Sequence, residues 1–186
     1  MQRRTAMSLA LAPLVLPRAG WAAGASTPPA ELRAEWPEAT SPHRQGEARM
    51  RFFGMHIYDI TLWAPEPLKP AEAARRPLAL AIDYRRSLSG SRIAERSLTE
   101  MRRAGPIDDA TAARWLAAMT QVFPDVNDGD RITGVQWPGQ AARFHTNGRF
   151  SGEVRDPRFA ELFFGIWLAP WTSEPSLRQA LLGATG

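Results

Sequence analysis

The side chains able to do chemistry are few, and their spacing removes most of the options. Cysteine is absent from the 186 residues, which excludes disulfides, thiolate zinc sites, iron–sulfur clusters and cysteine nucleophiles together. Histidine occurs only at 43, 56 and 145, and no two are placed as a helical metal pair requires. Asp125, Asn127, Asp128 and Asp130 begin like a calcium loop. Gly129 falls one place early, however, and Gln136 stands where the bidentate glutamate belongs, so the stretch reads as an acidic turn. Neither a nucleotide-binding glycine loop nor a GxSxG or HExxH motif occurs. No metal, no cofactor and no catalytic set is therefore expected. Cations and aromatics remain. Arg85-Arg86 at a strand end read as solvated. Arg96 and Glu100 have the helical i, i+4 spacing and read as a solvated pair worth a few tenths of a kcal/mol. Phe159, Phe163, Phe164 and Trp167 read as core, with a ligand wall as the alternative.

The elements that must position these groups follow from periodicity. Arg49–Phe53 and Met55–Trp63 read as two strands around Gly54. His56, Tyr58, Ile60 and Leu62 fall on one face of the second strand, with Ile57, Asp59, Thr61 and Trp63 on the other. Residues 64–77 form a proline-rich connector, and Leu78, Leu80, Ile82 and Tyr84 alternate along a third strand. A helix over 91–103 carries Ile93, Ala94, Ser97, Leu98 and Met101 on one face. Asp108 caps a second helix, and Asp156-Pro157 starts a third that runs to about 168. Between them, turns at Pro138-Gly139 and Asn147-Gly148 divide strands near 131–137, 141–146 and 149–154. Ser173 opens a last short helix that Gly183 ends. Strands segregated from helices predict an α+β fold, an antiparallel sheet with helices packed on one face.

Composition supports a folded domain, since 44% of residues are hydrophobic and 23% charged. The pI near 10.5 suggests nucleic acid only at first sight. Arg3, Arg4 and Arg18 lie in residues 1–25, where no acid occurs; without them 23 basic residues fall to 20, against 19 acidic. No basic run is left to track a phosphate backbone, so nucleic acid is not an expected partner. Residues 1–25 have the layout of a signal peptide, with Arg3-Arg4, an apolar stretch over 6–16 and small residues at Gly20–Ala25. Eleven helical residues rise only about 16 Å, so no transmembrane span is expected. The protein is thus expected to be exported to the periplasm, with 26–45 a loose lead-in and 46–186 the folded domain.

Four segments, GEARMRFFGMHIYDITLW (46–63), PLALAIDYRRSLSGSRIAERSLTEM (77–101), FPDVNDGDRITGVQWPG (123–139) and NGRFSGEVRDPRFAELFFGIWL (147–168), resemble in order the chalcone isomerase-like family, in its bacterial exported branch. The resemblance implies an open-faced β-sandwich, a large antiparallel sheet with helices on one side and an apolar ligand in the cleft between. The family contains chalcone-cyclising enzymes and relatives that bind fatty acids without catalysis. Carried over residue by residue, the enzymes' pocket arginine falls on Arg49, with Arg51 as a competitor on the same strand face. The threonine position falls on Tyr58, the tyrosine near Ile93, the asparagine near Glu100 and the later Ser/Thr near Leu162. Isoleucine cannot donate a proton or hold a water, so the carbonyl-polarising half of the enzyme site is missing. The fatty-acid binders pair an arginine with a tyrosine around the carboxylate, which Arg49 and Tyr58 would reproduce with charge-assisted bonds. A protein carboxylate from Asp59, Asp83 or Glu100 could instead claim Arg49, and Tyr58 could be a core residue with its hydroxyl at the rim.

The expected function is non-catalytic binding of a fatty acid or similar small apolar anion at Arg49, Tyr58, Ile93, Glu100 and Leu162. One alternative is an isomerase or intramolecular lyase acting on another apolar carbonyl compound, for which Tyr58, His56 or Glu100 would serve. The other is a periplasmic interaction module whose cleft is packed shut by Trp and Phe.

Overall fold

The computed structural model describes residues 27–183. The signal-peptide expectation falls on residues 1–25, outside the described residues. Strands β1 (His43–Phe52), β2 (Met55–Ala64) and β3 (Leu78–Tyr84) are followed by helices α2 (Gly90–Met101) and α3 (Asp109–Val122). Strands β4 (Arg131–Trp137), β5 (Ala141–Thr146) and β6 (Arg149–Val154) lead into α4 (Pro157–Leu168) and α5 (Pro175–Leu182). A short helix α1 (Leu32–Glu35) precedes them all. The six strands pair antiparallel in chain order, β1 to β6, and α2 and α3 are inserted between the third and fourth. This is the open α+β arrangement expected, with helices α2 to α5 laid on one side.

Local chemistry fixes the ends of these elements. Asp108 accepts a hydrogen bond from the Thr111 amide at 2.9 Å and starts α3. Asp156 accepts from the Arg158 and Phe159 amides at 3.0 and 3.1 Å and also holds the Trp115 indole at 2.8 Å, tying α3 to the start of α4. Two hairpins close on two-residue turns with φ positive at both positions, Phe53-Gly54 (46° and 76°) and Asn147-Gly148 (50° and 79°). Asn147 suits that geometry and binds the Arg131 amide and Asp130. A phenylalanine there costs about 1–2 kcal/mol.

Both faces of the sheet are covered, by different means. On the helix side, Ile60, Leu62, Leu80, Ile82 and Phe144 form the main core with α2 to α5. Phe144 is fully buried, its ring meeting Phe123 at 5.0 Å and Phe163 at 5.1 Å, both edge to face. Helix α5 lies so close to β1 that a Cβ on Gly46 would come within 2.3 Å of the Ala180 carbonyl oxygen.

The opposite face is covered by the segment expected to be a loose lead-in, which is a correction. Leu32 and Trp36, 0% and 1% exposed, pack on Trp63, Ala79, Ala81 and Val135. Polar bonds fasten this strap. Glu31 accepts from the Thr133 hydroxyl at 2.6 Å. Glu35 accepts from the Trp137 indole at 3.1 Å and Arg143 at 2.9 Å, and its other oxygen lies 2.8 Å from His145 Nε2. The physical reason is the sheet itself: the outward-facing residues of its central strands are apolar and need a cover.

Candidate functional site

A cavity of about 450 Å³ opens between the sheet and the helices. Its floor is the helix-side face of four strands, with Met50, Tyr58, Ile82, Tyr84 and Ile132. Its roof is Ile93, Ser97 and Glu100 of α2 together with Phe163, Ile166 and Trp167 of α4. The i, i+4, i+7 spacing turns the three α2 residues toward the sheet, and the small Ser97 between them leaves the gap that a larger side chain would fill. Phe52, Arg92 and Arg96 line the cavity while remaining exposed, which places its mouth beside the β1–β2 hairpin and the outer turns of α2.

Few polar groups reach the interior. The Tyr58 hydroxyl accepts from the Trp167 indole at 3.0 Å. Burial pushes its pKa up to about 12, only partly opposed by that hydrogen bond. Burial raises Tyr84 as well, with the neighbouring phenol adding to the effect, and the two rings meet edge to face at 6.0 Å. Both phenols are therefore neutral near pH 7. The Tyr84 hydroxyl has no hydrogen bond to any described residue, and Tyr84 lines the cavity. Glu100 presents the second under-satisfied group. Its side chain is 8% exposed and pairs with Arg96 through one oxygen, while the other lies 3.7 Å from Arg103 Nε without a hydrogen bond. The pair expected to be solvated is thus half buried: Arg96 is at the mouth and Glu100 in the wall.

Tyr58, Ile93 and Glu100 of the expected site residues come together here; Arg49 and Leu162 do not. Met50 is paired in register with Tyr58, and Arg49 with Asp59. Side chains alternate along a strand, so Arg49 must face away from a cavity that Met50 and Tyr58 line. On the outer face Arg49 Nε donates to Asp59 Oδ1 at 2.8 Å, and Arg85 Nε to Oδ2 at 3.0 Å. Burial pulls the Asp59 pKa upward, but the bonds from Arg49 and Arg85 outweigh it and hold the carboxyl below its ordinary value. His56 joins the same carboxylate at 3.0 Å, so it too is turned from the cavity. Arg51 donates to the Gly54 carbonyl on that face. Leu162 packs on the core beside the cavity, because Phe163, Ile166 and Trp167 occupy the side of α4 turned toward it.

Sequence reasoning missed Tyr84, Arg92 and Ser173 as cavity residues. Tyr84 shares a strand face with Tyr58 across the β2–β3 pairing, and that register was the one signal available. Trp167 and Phe163 belong to the core and line the cavity as well. No group of metal-binding side chains occurs among the described residues, and no described helix is long and apolar enough to cross a membrane.

A family model described as chalcone isomerase-like matches residues 45–183. An uncharacterised protein of Haemophilus influenzae is 28% identical over 140 residues, spanning 75% of this chain and 67% of the relative. Among solved structures, the Arabidopsis thaliana fatty-acid binding protein superposes with a TM-score of 0.57 at 12% identity, over 77% of this chain and 87% of that one. That likeness extends to the fold.

Proposed function

The chain belongs to the chalcone isomerase-like family, and from that premise we propose that it binds a fatty acid or similar apolar anion in the cleft between sheet and helices, without transforming it. The observation that carries the reading is the open cavity of about 450 Å³ with an apolar wall, within the roughly 300–1,000 Å³ of small-molecule sites. The acyl chain lies among Ile82, Ile132, Phe163 and Ile166. The carboxylate remains at the mouth, where Arg92 and Arg96 supply positive charge and water still solvates it. A deeper position would bring it toward Glu100, and like charges in a low dielectric repel. Arg49, which faces away, has no part in it.

The absence of turnover rests on the lining chemistry. Ile93 occupies the place where the family's enzymes are expected to carry a tyrosine, and it can neither donate a proton nor hold a water. Tyr58 stays protonated near pH 7 and cannot act as a base there. The structural likeness to a fatty-acid binding protein supports the same reading at the level of fold.

Native mass spectrometry of the purified protein with added palmitate tests it. One palmitate should bind per chain. Arg92→Ala should weaken binding about tenfold, the loss of one charge-assisted bond at the mouth. Ser97→Phe should abolish binding by filling the space under α2. No adduct with the wild type, or full binding by Ser97→Phe, would sink the proposal. Export is part of the same reading: protein recovered from a periplasmic extract should begin near residue 26, and a full-length cytosolic product would refute it.

A further inference from the structure

The β1–β2 hairpin ends in Phe52, Phe53 and Met55, which are 51%, 88% and 43% exposed. Phe53 occupies a left-handed backbone position, φ 46°, in a turn that favours asparagine, aspartate or glycine. Its ring touches Phe52 edge to face at 4.5 Å and otherwise stands in water. The sister turn on the same sheet carries Asn147 at φ 50°, so the fold can close this hairpin without an aromatic. A strained, exposed phenylalanine with little internal return points to something outside the chain.

The charges around the tip identify that partner. Arg51 lies on the adjoining strand and Arg49 beside it, while the Arg85 amide bonds Ile57 and Arg86 follows. All four arginines are exposed; Asp59 is set among them, and Asp83, in register with Asp59 on β3, is held by Arg131. Asp125, Asp128 and Asp130 belong to the loop entering β4, whose backbone bonds Tyr84 and Leu88 on either side of Arg85 and Arg86. Asp125 there accepts from the Gly90 amide, and Asp130 from the Asn127 amide and the Asn147 side chain. We propose that the Phe52–Met55 tip is a lipid-binding surface that inserts its apolar side chains into a bilayer bearing anionic headgroups, with the arginines against the phosphates. Phe52 and Phe53, at most about 150–250 Å² each, with the partly exposed Met55 beside them, fall short of the roughly 800 Å² per partner of a stable protein interface. Phe52 also lines the cavity, so the inserted tip brings the cavity mouth to the membrane, where an amphiphile would enter. Surface binding itself does not depend on the cavity being occupied.

Vesicle sedimentation tests the proposal, with phosphatidylcholine alone and with equal parts of phosphatidylglycerol. The wild type should bind the anionic vesicles, and less so as salt rises. Phe53→Asn relieves the turn while removing the ring, so its binding should fall about tenfold or more with no loss of thermal stability. Arg51→Ala should lose roughly fivefold. Phe150→Ala, exposed elsewhere on β6, should bind as the wild type does. The emission of Phe53→Trp should shift to shorter wavelength when anionic vesicles are added. Unchanged binding by Phe53→Asn, no binding by the wild type, or a dimer that Phe53→Asn abolishes without vesicle binding would each overturn it. Phe53 does not line the cavity, so palmitate binding in solution should survive Phe53→Asn. Failure of the surface and failure of the cavity reading are therefore separate results.

Discussion

The two faces of the sheet are covered by unequal amounts of chain, and it is under the larger cover that the apolar cavity lies. Four helices lie on one face and leave a cavity of about 450 Å³. On the other, a single turn of helix and Trp36 seal an apolar patch. The contrast is clearest in two buried glutamates. Glu35 accepts from Trp137 and Arg143 and lies against His145, whereas Glu100 keeps one oxygen without a hydrogen bond beside the cavity. Both oxygens of Glu35 are bonded by groups of the sheet, whereas Glu100 relies on the exposed Arg96 and on Arg103 at 3.7 Å, so the first is a structural joint and the second the polar edge of the cavity wall. Closure of a sheet face depends on the size of the side chains at the contact more than on how much chain lies over it.

Truncating the strap should give the largest effect. Trp36→Ala is expected to cost about 3–5 kcal/mol, read by chemical denaturation, while the folded fraction keeps its palmitate affinity. A large loss of affinity at constant folded fraction would mean the two faces are coupled through the sheet. Alkali should act on the other face. Burial raises the Tyr58 pKa above its ordinary value near 10, so the proton is held more tightly in the folded state. Stability is then intact below pH 10 and lost as pH rises toward about 12, by about 2 kcal/mol from this group. Tyr58→Phe should remove this residue's share of the fall over pH 10–12 and leave the share of Tyr84, whose pKa burial raises as well; a limb unchanged in Tyr58→Phe would place the titration elsewhere. At neutral pH the same variant should cost about 1–2 kcal/mol, because the Trp167 indole loses its acceptor in an apolar wall. Tyr84→Phe should cost less, since no described residue depends on that hydroxyl.

Local chemistry made most of the elements readable from sequence. Asp156-Pro157 and Asp108 cap helices through their own side chains, and Asn147-Gly148 closes a hairpin by its own backbone preference. The strap was not readable. Its Leu32 and Trp36 share a face, as do Glu31 and Glu35, but one helical turn is too short to show periodicity. The partners of Glu35 are more than a hundred residues away in the chain. The candidate site was half readable for a related reason. Alternation places Arg49 and Asp59 on one face and Met50 and Tyr58 on the other, yet it does not say which face the helices cover. When both faces carry apolar residues that clue is lost, and a family arginine can be assigned to the wrong side.

The smallest expected effect tests that assignment most sharply. Arg49 is 40% exposed and shares Asp59 with Arg85 and His56, so Arg49→Ala leaves the carboxylate with other partners. The expected loss is below about 1 kcal/mol. Burial raises the Asp59 pKa and the bonds from Arg49 and Arg85 lower it further, so the net shift is downward. A depressed carboxylate contributes stability above its ordinary pKa of about 3.9, and that contribution is lost as pH falls through the folded value. The gap between wild type and Arg49→Ala should therefore close on acidification below about pH 4 and narrow with added salt. Palmitate affinity should stay unchanged, because Arg49 faces the side of the sheet opposite the cavity. A tenfold fall in affinity would break the distinction between the faces and return the anchor to this arginine. An unchanged affinity, set beside a tenfold loss in Arg92→Ala, would fix the anionic end of the ligand at the mouth of the helix-side cavity.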